Sequence, residues 1–214
     1  MNAGLLRRGI SLFVDFIFMA ALVSTLFNIA ARPIYQNQIE NFEEHYTKFV
    51  ELQEEKGEKL EALNDEEFEL VRDESISEEE RDARLEEIQE DREALDAYYS
   101  YVNYPDAYRV GDGYIIFTAV YHLTGFLFAH TVYMLLMKGH SFGRRLTKLK
   151  LSGNINILSL LLRELFWKYL FWIFTLGIGI FIDIYMNLLT NSRKTIRDYF
   201  SGTRVVLNDI EYPF

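Results

Sequence analysis

The 214-residue chain has no cysteine, which excludes disulfides, thiolate zinc sites, iron–sulfur clusters and cysteine nucleophiles. Its four histidines, His45, His122, His130 and His140, include no pair three or four residues apart, so no dedicated metal site is expected. Gly-rich phosphate loops, serine elbows and zincin motifs are all missing, and Gly177-Ile178-Gly179 lies in an apolar tract where it reads as a helix break. No cofactor is expected and an enzyme is the least favoured class, for want of a nucleophile and base at usable spacing. Acidic residues are also scarce over most of the chain: outside residues 32–112 there are 6 acids and 13 bases, whereas residues 32–112 hold 26 acids and 9 bases. Two unlike kinds of segment are joined, and the formal net charge of -10 is an average over both.

What fills the acid-poor part is apolar. Ile10 to Ala31 and Tyr114 to Met137 each exceed twenty residues with one or two ionisable groups, and about 20 apolar residues in a helix cross the roughly 30 Å hydrocarbon core. The first stretch follows Arg7 and Arg8 and carries Asp15. It is longer than the apolar region of a signal peptide, so it reads as a retained span. A soluble globular enzyme is the poor reading of such a chain. The fold class is all-α: a multi-pass helical membrane protein of three to four membrane helices with an inserted extracytoplasmic antiparallel helical hairpin.

Four regions follow. Residues 1–34 form the first membrane helix, with a cytoplasmic N-terminus and an end at Arg32-Pro33, where proline removes a donor. Residues 35–112 form the acidic hairpin. Its first arm carries Ile39, Phe42, Tyr46, Phe49, Leu60 and Leu63 at three- and four-residue spacing. Ser77 with Glu80 is a capping box opening the second arm, which carries Leu85, Ile88, Leu95, Tyr99 and Val102, with Arg92 as the polar seam residue. The bend falls at 65–76 and each arm is about 40 Å long by the helical rise. The charge run reads first as a solvated surface around a narrow seam, and a tyrosine cluster, Tyr98 to Tyr108, leads back to the interface. Residues 113–190 hold the remaining membrane helices and a basic cytoplasmic loop, 138–154; residues 191–214 are a cytoplasmic tail.

The apolar tract 155–190 is interrupted early by Arg163, Glu164 and Lys168 and late by Gly177 and Gly179. The N-terminal arginines, the basic loop and the tail residues Arg193, Lys194, Arg197 and Arg204 all favour the cytoplasm. One span would place the tail outside. Two helices broken near Gly177–Gly179, crossing or re-entering and returning, satisfy the rule and are preferred.

Ionisable groups inside a bilayer usually face the bundle interior, which singles out Asp15, His122, His130 and Asp183, with His122, near the outer leaflet, reading as an interfacial polar tip. Arg8 and Asp15, seven apart, share a helix face with Ser11. Asp15 and His130 lie at matching depths if the two spans are antiparallel, so a contact is expected. It reads either as a proton or cation relay or as a static hydrogen-bonded pair that fixes register. Gly125 and Ala129 make a small-xxx-small pair for close helix approach. Arg144, Arg145, Lys148 and Lys150 read as membrane-surface residues attracted to anionic headgroups, in preference to nucleic acid.

Three segments resemble the RDD family of small bacterial membrane proteins: Arg7-Arg8-Gly-Ile-Ser-Leu-Phe-Val-Asp15; Gly139-His-Ser-Phe-Gly143-Arg-Arg145-Leu-Thr-Lys-Leu-Lys-Leu151; and Arg197-Asp198-Tyr-Phe-Ser-Gly202-Thr203-Arg-Val-Val206. Arg197 stands where the family commonly has histidine and Ser201 where it has alanine. The resemblance covers about 10–31 and 114–206 and leaves the hairpin outside it. It implies a multi-pass protein of the bacterial cell membrane, handling a ligand or ion, with Arg8, Asp15 and Asp198 as the named polar residues. Arg8 and Asp198 lie at one interface in the preferred topology and are expected to pair as a latch between the first and last helices. Two functions remain open. One is transporter-like movement of a cation or small solute by an Asp/His pair, in a homo-oligomer. The other is an accessory or regulatory subunit whose residues 37–103 dock a partner protein.

Overall fold

A computed structural model of the chain describes residues 4–73, 75–189 and 193–208; of the tail, residues 191, 192 and 209–214 lie outside the described residues. The fold is mostly helical and divides into two compact units, Met1–Ile29 with Val120–Phe214, and Ala30–Ala119. The chain opens with α1 (Leu5–Leu26), passes through a π-helical turn at Phe27–Ala31 and continues as α2 (Arg32–Asn37). The buried face of α1 is one stripe, Arg8, Ser11, Asp15, Met19 and Val23, at the three- and four-residue steps that align side chains. Leu6, Phe13, Phe16 and Ile17 lie exposed. Pro33 does not end this helix as expected. It sits in the first turn of α2, where its missing N–H is tolerated, and the wider π turn ahead of it resets the hydrogen-bond ladder.

Within the unit Ala30–Ala119, α3 (Phe42–Arg72) and α4 (Glu78–Tyr98) contact each other along a narrow seam. Lys56 pairs with Asp96 at 2.7 Å and Arg92 reaches Asn64 at 2.7 Å and also Glu67, so residues rising along α3 meet residues falling along α4. The sequence reading starts the turn too early: α3 runs through its charged end to Arg72, and the connection is Asp73–Ser77 around Glu74, which is outside the described residues. Ser77 Oγ accepts from Glu80 N at 3.3 Å, one half of the expected capping box. Phe49, Leu52, Tyr99 and Ala107 form the apolar core, Ala107 coming from the start of α5 (Pro105–Leu136). The Phe49 ring lies on Gly111, where a Cβ would come within 2.2 Å of it. Val102 is not a seam residue; α4 ends at Tyr98 and Val102 is 85% exposed.

Two helices, Leu5–Asn37 and Pro105–Leu136, are long and apolar enough to cross a membrane. After α5 the basic segment is not an open loop. It forms α6 (Phe142–Leu146) and β1 (Leu149–Gly153). Then come α7 (Ile157–Leu161), a π-helical stretch Leu162–Leu170, α8 (Phe171–Phe174), α9 (Ile178–Leu189), α10 (Ile196–Phe200) and β2 (Thr203–Leu207). β1 and β2 pair antiparallel, Leu149 opposite Leu207 and Gly153 opposite Thr203. Their inward residues Leu149, Leu151 and Val205 pack with Leu160. The break between α8 and α9 falls at the expected glycine. Gly177 takes φ +88 and its N–H donates to Trp172 O at 2.8 Å, a C-terminal closure that suits a residue without Cβ. Thr175 Oγ1 then accepts from Gly179 N at 2.9 Å and starts α9.

Candidate functional site

Burial in the unit formed by residues 1–29 and 120–214 is inverted. Phe174 and Leu176 are 81% and 93% exposed, while Arg163, Glu164, Lys168, His130, Asp15 and Asp198 are almost wholly buried. The buried groups form one connected system. Asp198, on α10, is its centre: its Oδ2 accepts from Arg8 Nη1 at 2.8 Å and from Thr195 N at 2.9 Å, and its Oδ1 accepts from Arg163 Nη1. Arg8 also donates to the carbonyls of Arg193 and Val205, at 3.0 and 3.2 Å, tying α1 to the chain on both sides of α10. Arg163 donates further to Thr203 Oγ1 at 2.8 Å and to Glu164 Oε1 at 3.2 Å. Glu164 in turn accepts from Arg144 Nη2 at 2.5 Å. Burial pushes the Asp198 carboxyl up, but Arg163 and Arg8 outweigh it and hold it below the usual carboxylate range. A lowered native value means that this contribution is complete above the ordinary carboxylate pKa of about 4 and is lost as pH falls through the native value.

Asp15 does something different from what its position predicts. It accepts from Ser141 Oγ at 2.5 Å and from Gly143 N at 2.8 Å, so α1 holds the start of α6. The expected Asp15–His130 contact is replaced: His130 Nε2 lies 3.3 Å from Lys168 Nζ, and its ring stacks on Phe126 and meets Tyr169 edge-on. The cause is local. α6 approaches α1 so closely that a Cβ on Gly143 would sit 2.1 Å from Ser11 O and 2.9 Å from Asp15 Cγ. The carboxylate is enclosed by α6 before a ring on α5 can reach it.

Arg144 corrects a second expectation. It is buried, donating to Gly139 O as well as to Glu164, and it is not a membrane-surface residue. Arg145 and Lys148 are exposed and Lys150 is half-buried. Gly139 takes φ +75, donates to Met134 O at 2.8 Å and closes α5, which directs the chain back under Arg144. Gly125 faces Val23, 3.3 Å from where its Cβ would be, so α1 and α5 approach there; Ala129 is half-buried.

Beside the charged system lies a cleft of about 670 Å³, walled by apolar residues of α1 and α9 such as Leu5, Phe13, Ile180 and Ile184. Its polar floor is Asp183, Arg197, Asn187 and Arg8. Arg197 Nε stands 3.4 Å from Asp183 Oδ2 as an ion pair without a hydrogen bond, leaving one donor and one acceptor unused. Asp183 Oδ1 accepts from Ile196 N at 3.1 Å, and the guanidinium of Arg197 lies 5.6 Å from the Trp172 ring centre. Trp172 Nε1 is likewise buried without an acceptor.

The sequence-derived residues thus divide. Arg8 meets Asp198, Asp15 meets the 141–143 turn, and Asp183 meets Arg197. Arg163, Glu164 and Lys168 are the buried charged side chains that the sequence shows only as interruptions of an apolar tract. Their signal was their cost, since charges there persist only when paired inward. The π-helical register turns Arg163 and Lys168, five apart, to the same buried side. Among the described residues no cluster suited to a metal ion is present. No family model, curated protein or solved structure matches the chain.

Proposed function

We propose that the chain is an RDD-type multi-pass membrane protein with a transporter-like function, handling a small solute in the cleft between α1 and α9. The observation that carries this reading is the cleft floor, where Asp183 and Arg197 face each other without a hydrogen bond beneath apolar walls. A carboxylate and a guanidinium with unused bonding capacity suit a solute bearing both charges and an apolar side. The RDD reading is supported by the three resembling segments, whose Arg8, Asp15, Gly143, Asp198 and Thr203 all enter the one buried system. Inverted burial supports a lipid surrounding, because large exposed apolar side chains are a liability in water. Both ends of the 157–189 tract touch the same charged system, Arg163 through Asp198 and Asn187 through the Arg193 carbonyl. That supports a tract that enters the bilayer and returns to the face it left. The basic segments support a cytoplasmic position for this face, in a bacterial cell, with the acidic helical hairpin outside.

The test is counterflow of leucine, phenylalanine and betaine into proteoliposomes. Wild-type protein and a chain lacking residues 37–103 should both exchange at least one of them, and Asp183→Asn should reduce that exchange by more than tenfold while the protein stays folded. The acidic arms favour a second reading, an accessory subunit docked through residues 37–103. Under that reading none of the solutes moves, and the deletion releases a co-purifying protein.

A further inference from the structure

We propose that the buried charged system holds one monatomic anion, chloride under ordinary conditions, in a small cavity at its centre. The cavity has a volume of about 30 Å³ and is lined by five cations, Arg8, Arg144, Arg163, Lys168 and Arg197, with Asp15 as the one carboxylate in its wall among the described residues. Both oxygens of Asp15 already accept hydrogen bonds, from Ser141 and Gly143. The fixed charge is unbalanced. Around the five basic groups stand four carboxylates, Asp15, Glu164, Asp183 and Asp198, which leaves one positive charge over when Lys168 is protonated and His130 is neutral. A buried charge without a partner is among the costliest features a fold can carry, and in lipid no water layer relieves it.

The surplus falls on Lys168. Its nearest carboxylate oxygen, Glu164 Oε2, is 3.6 Å away and makes no hydrogen bond, and its other neighbour is His130 at 3.3 Å. Each arginine of the set, by contrast, has a carboxylate within 3.4 Å. The cavity is small, one water already needing about 10–15 Å³ of such space, so a single small anion is the class that it admits. Sulfate, phosphate and carboxylates are each larger than a halide and serve as the size controls. A monatomic halide fits both the space and the sign.

The experiment uses the full chain in mild detergent, exchanged into sodium gluconate. Chloride or bromide is titrated at constant ionic strength while thermal unfolding and bound ³⁶Cl are measured. The expected result is a saturable rise in Tm, about 5–10 °C at a hundredfold excess over Kd, with one chloride bound per chain and no effect of sulfate. Lys168→Met removes the surplus charge and should abolish both the Tm rise and ³⁶Cl uptake, whereas Lys168→Arg keeps both. A wild-type Tm equal in gluconate and chloride, with no ³⁶Cl retained, would overturn the proposal; so would undiminished uptake by Lys168→Met.

Discussion

Asp198→Asn should lower stability by about 3–5 kcal/mol, the range for removing one partner of a buried ion pair. The carboxylate serves two guanidiniums at once. Arg8 and Arg163 both lean on it, and neither is exposed to water that could replace it. Asparagine keeps the size and one acceptor oxygen but leaves two positive charges facing a neutral group. In a chain of this length the loss corresponds to a drop in Tm of roughly 10 °C, measurable by intrinsic fluorescence in detergent. The contrast is Asp106→Asn, which breaks the Arg109–Asp106 contact at 2.9 Å between two largely exposed side chains. That change should stay within about 1 kcal/mol. Acid reproduces the first effect and not the second. Lowering pH below the ordinary carboxylate range removes the Asp198 contribution in wild type, while Asp198→Asn, having no carboxylate there, has less left to lose.

Gly143→Ala is expected to be as damaging, for a steric reason. The added methyl would lie 2.1 Å from the backbone oxygen of Ser11, and backbone cannot turn aside as a side-chain tip can. Overpacking in a dense core costs about 1–3 kcal/mol and more when nothing yields. Relief requires α6 to lift from α1, which also breaks the Gly143 N to Asp15 bond and carries Arg144 away from Glu164. The consequence is loss of the cluster, not a local dent. Gly9→Ala is the control, since nothing lies within 4 Å of its Cβ position. Size-exclusion recovery and Tm of the two variants should differ sharply, with Gly9→Ala close to wild type.

These effects explain which parts of the fold could be read from the sequence. The long apolar stretches, the Ser77 cap and the break at Gly177 depend on residue type at short range, and the pairing of Arg8 with Asp198 was expected from basic segments read as sharing one face; pattern carries both. The β1–β2 ribbon was hidden because its alternation, Leu149-Lys150-Leu151, is three residues long and lies among basic residues that suggested a surface loop. Depth along a helix restricts the candidate partners of Asp15 without ranking them, so it does not separate His130 from the 141–143 turn. The deciding fact, the contact of Gly143 with Ser11, links residues 132 positions apart. Arg163, Glu164 and Lys168 stood in plain view, but their number matters only once they are set beside Arg8, Arg144 and Arg197. Charge balance is a property of the assembled cluster and not of any segment.

The proposed topology puts the two basic ends of the chain on one face of a bilayer and the acidic arms on the other. Because the chain has no cysteine, single replacements Arg7→Cys, Arg193→Cys and Glu61→Cys can each be labelled against an empty background. With a membrane-impermeant maleimide on intact cells, Glu61→Cys should be modified at once. Arg7→Cys and Arg193→Cys should react only after permeabilisation. Labelling of Arg7→Cys and Arg193→Cys from opposite sides, or of all three from the same side, would contradict the account.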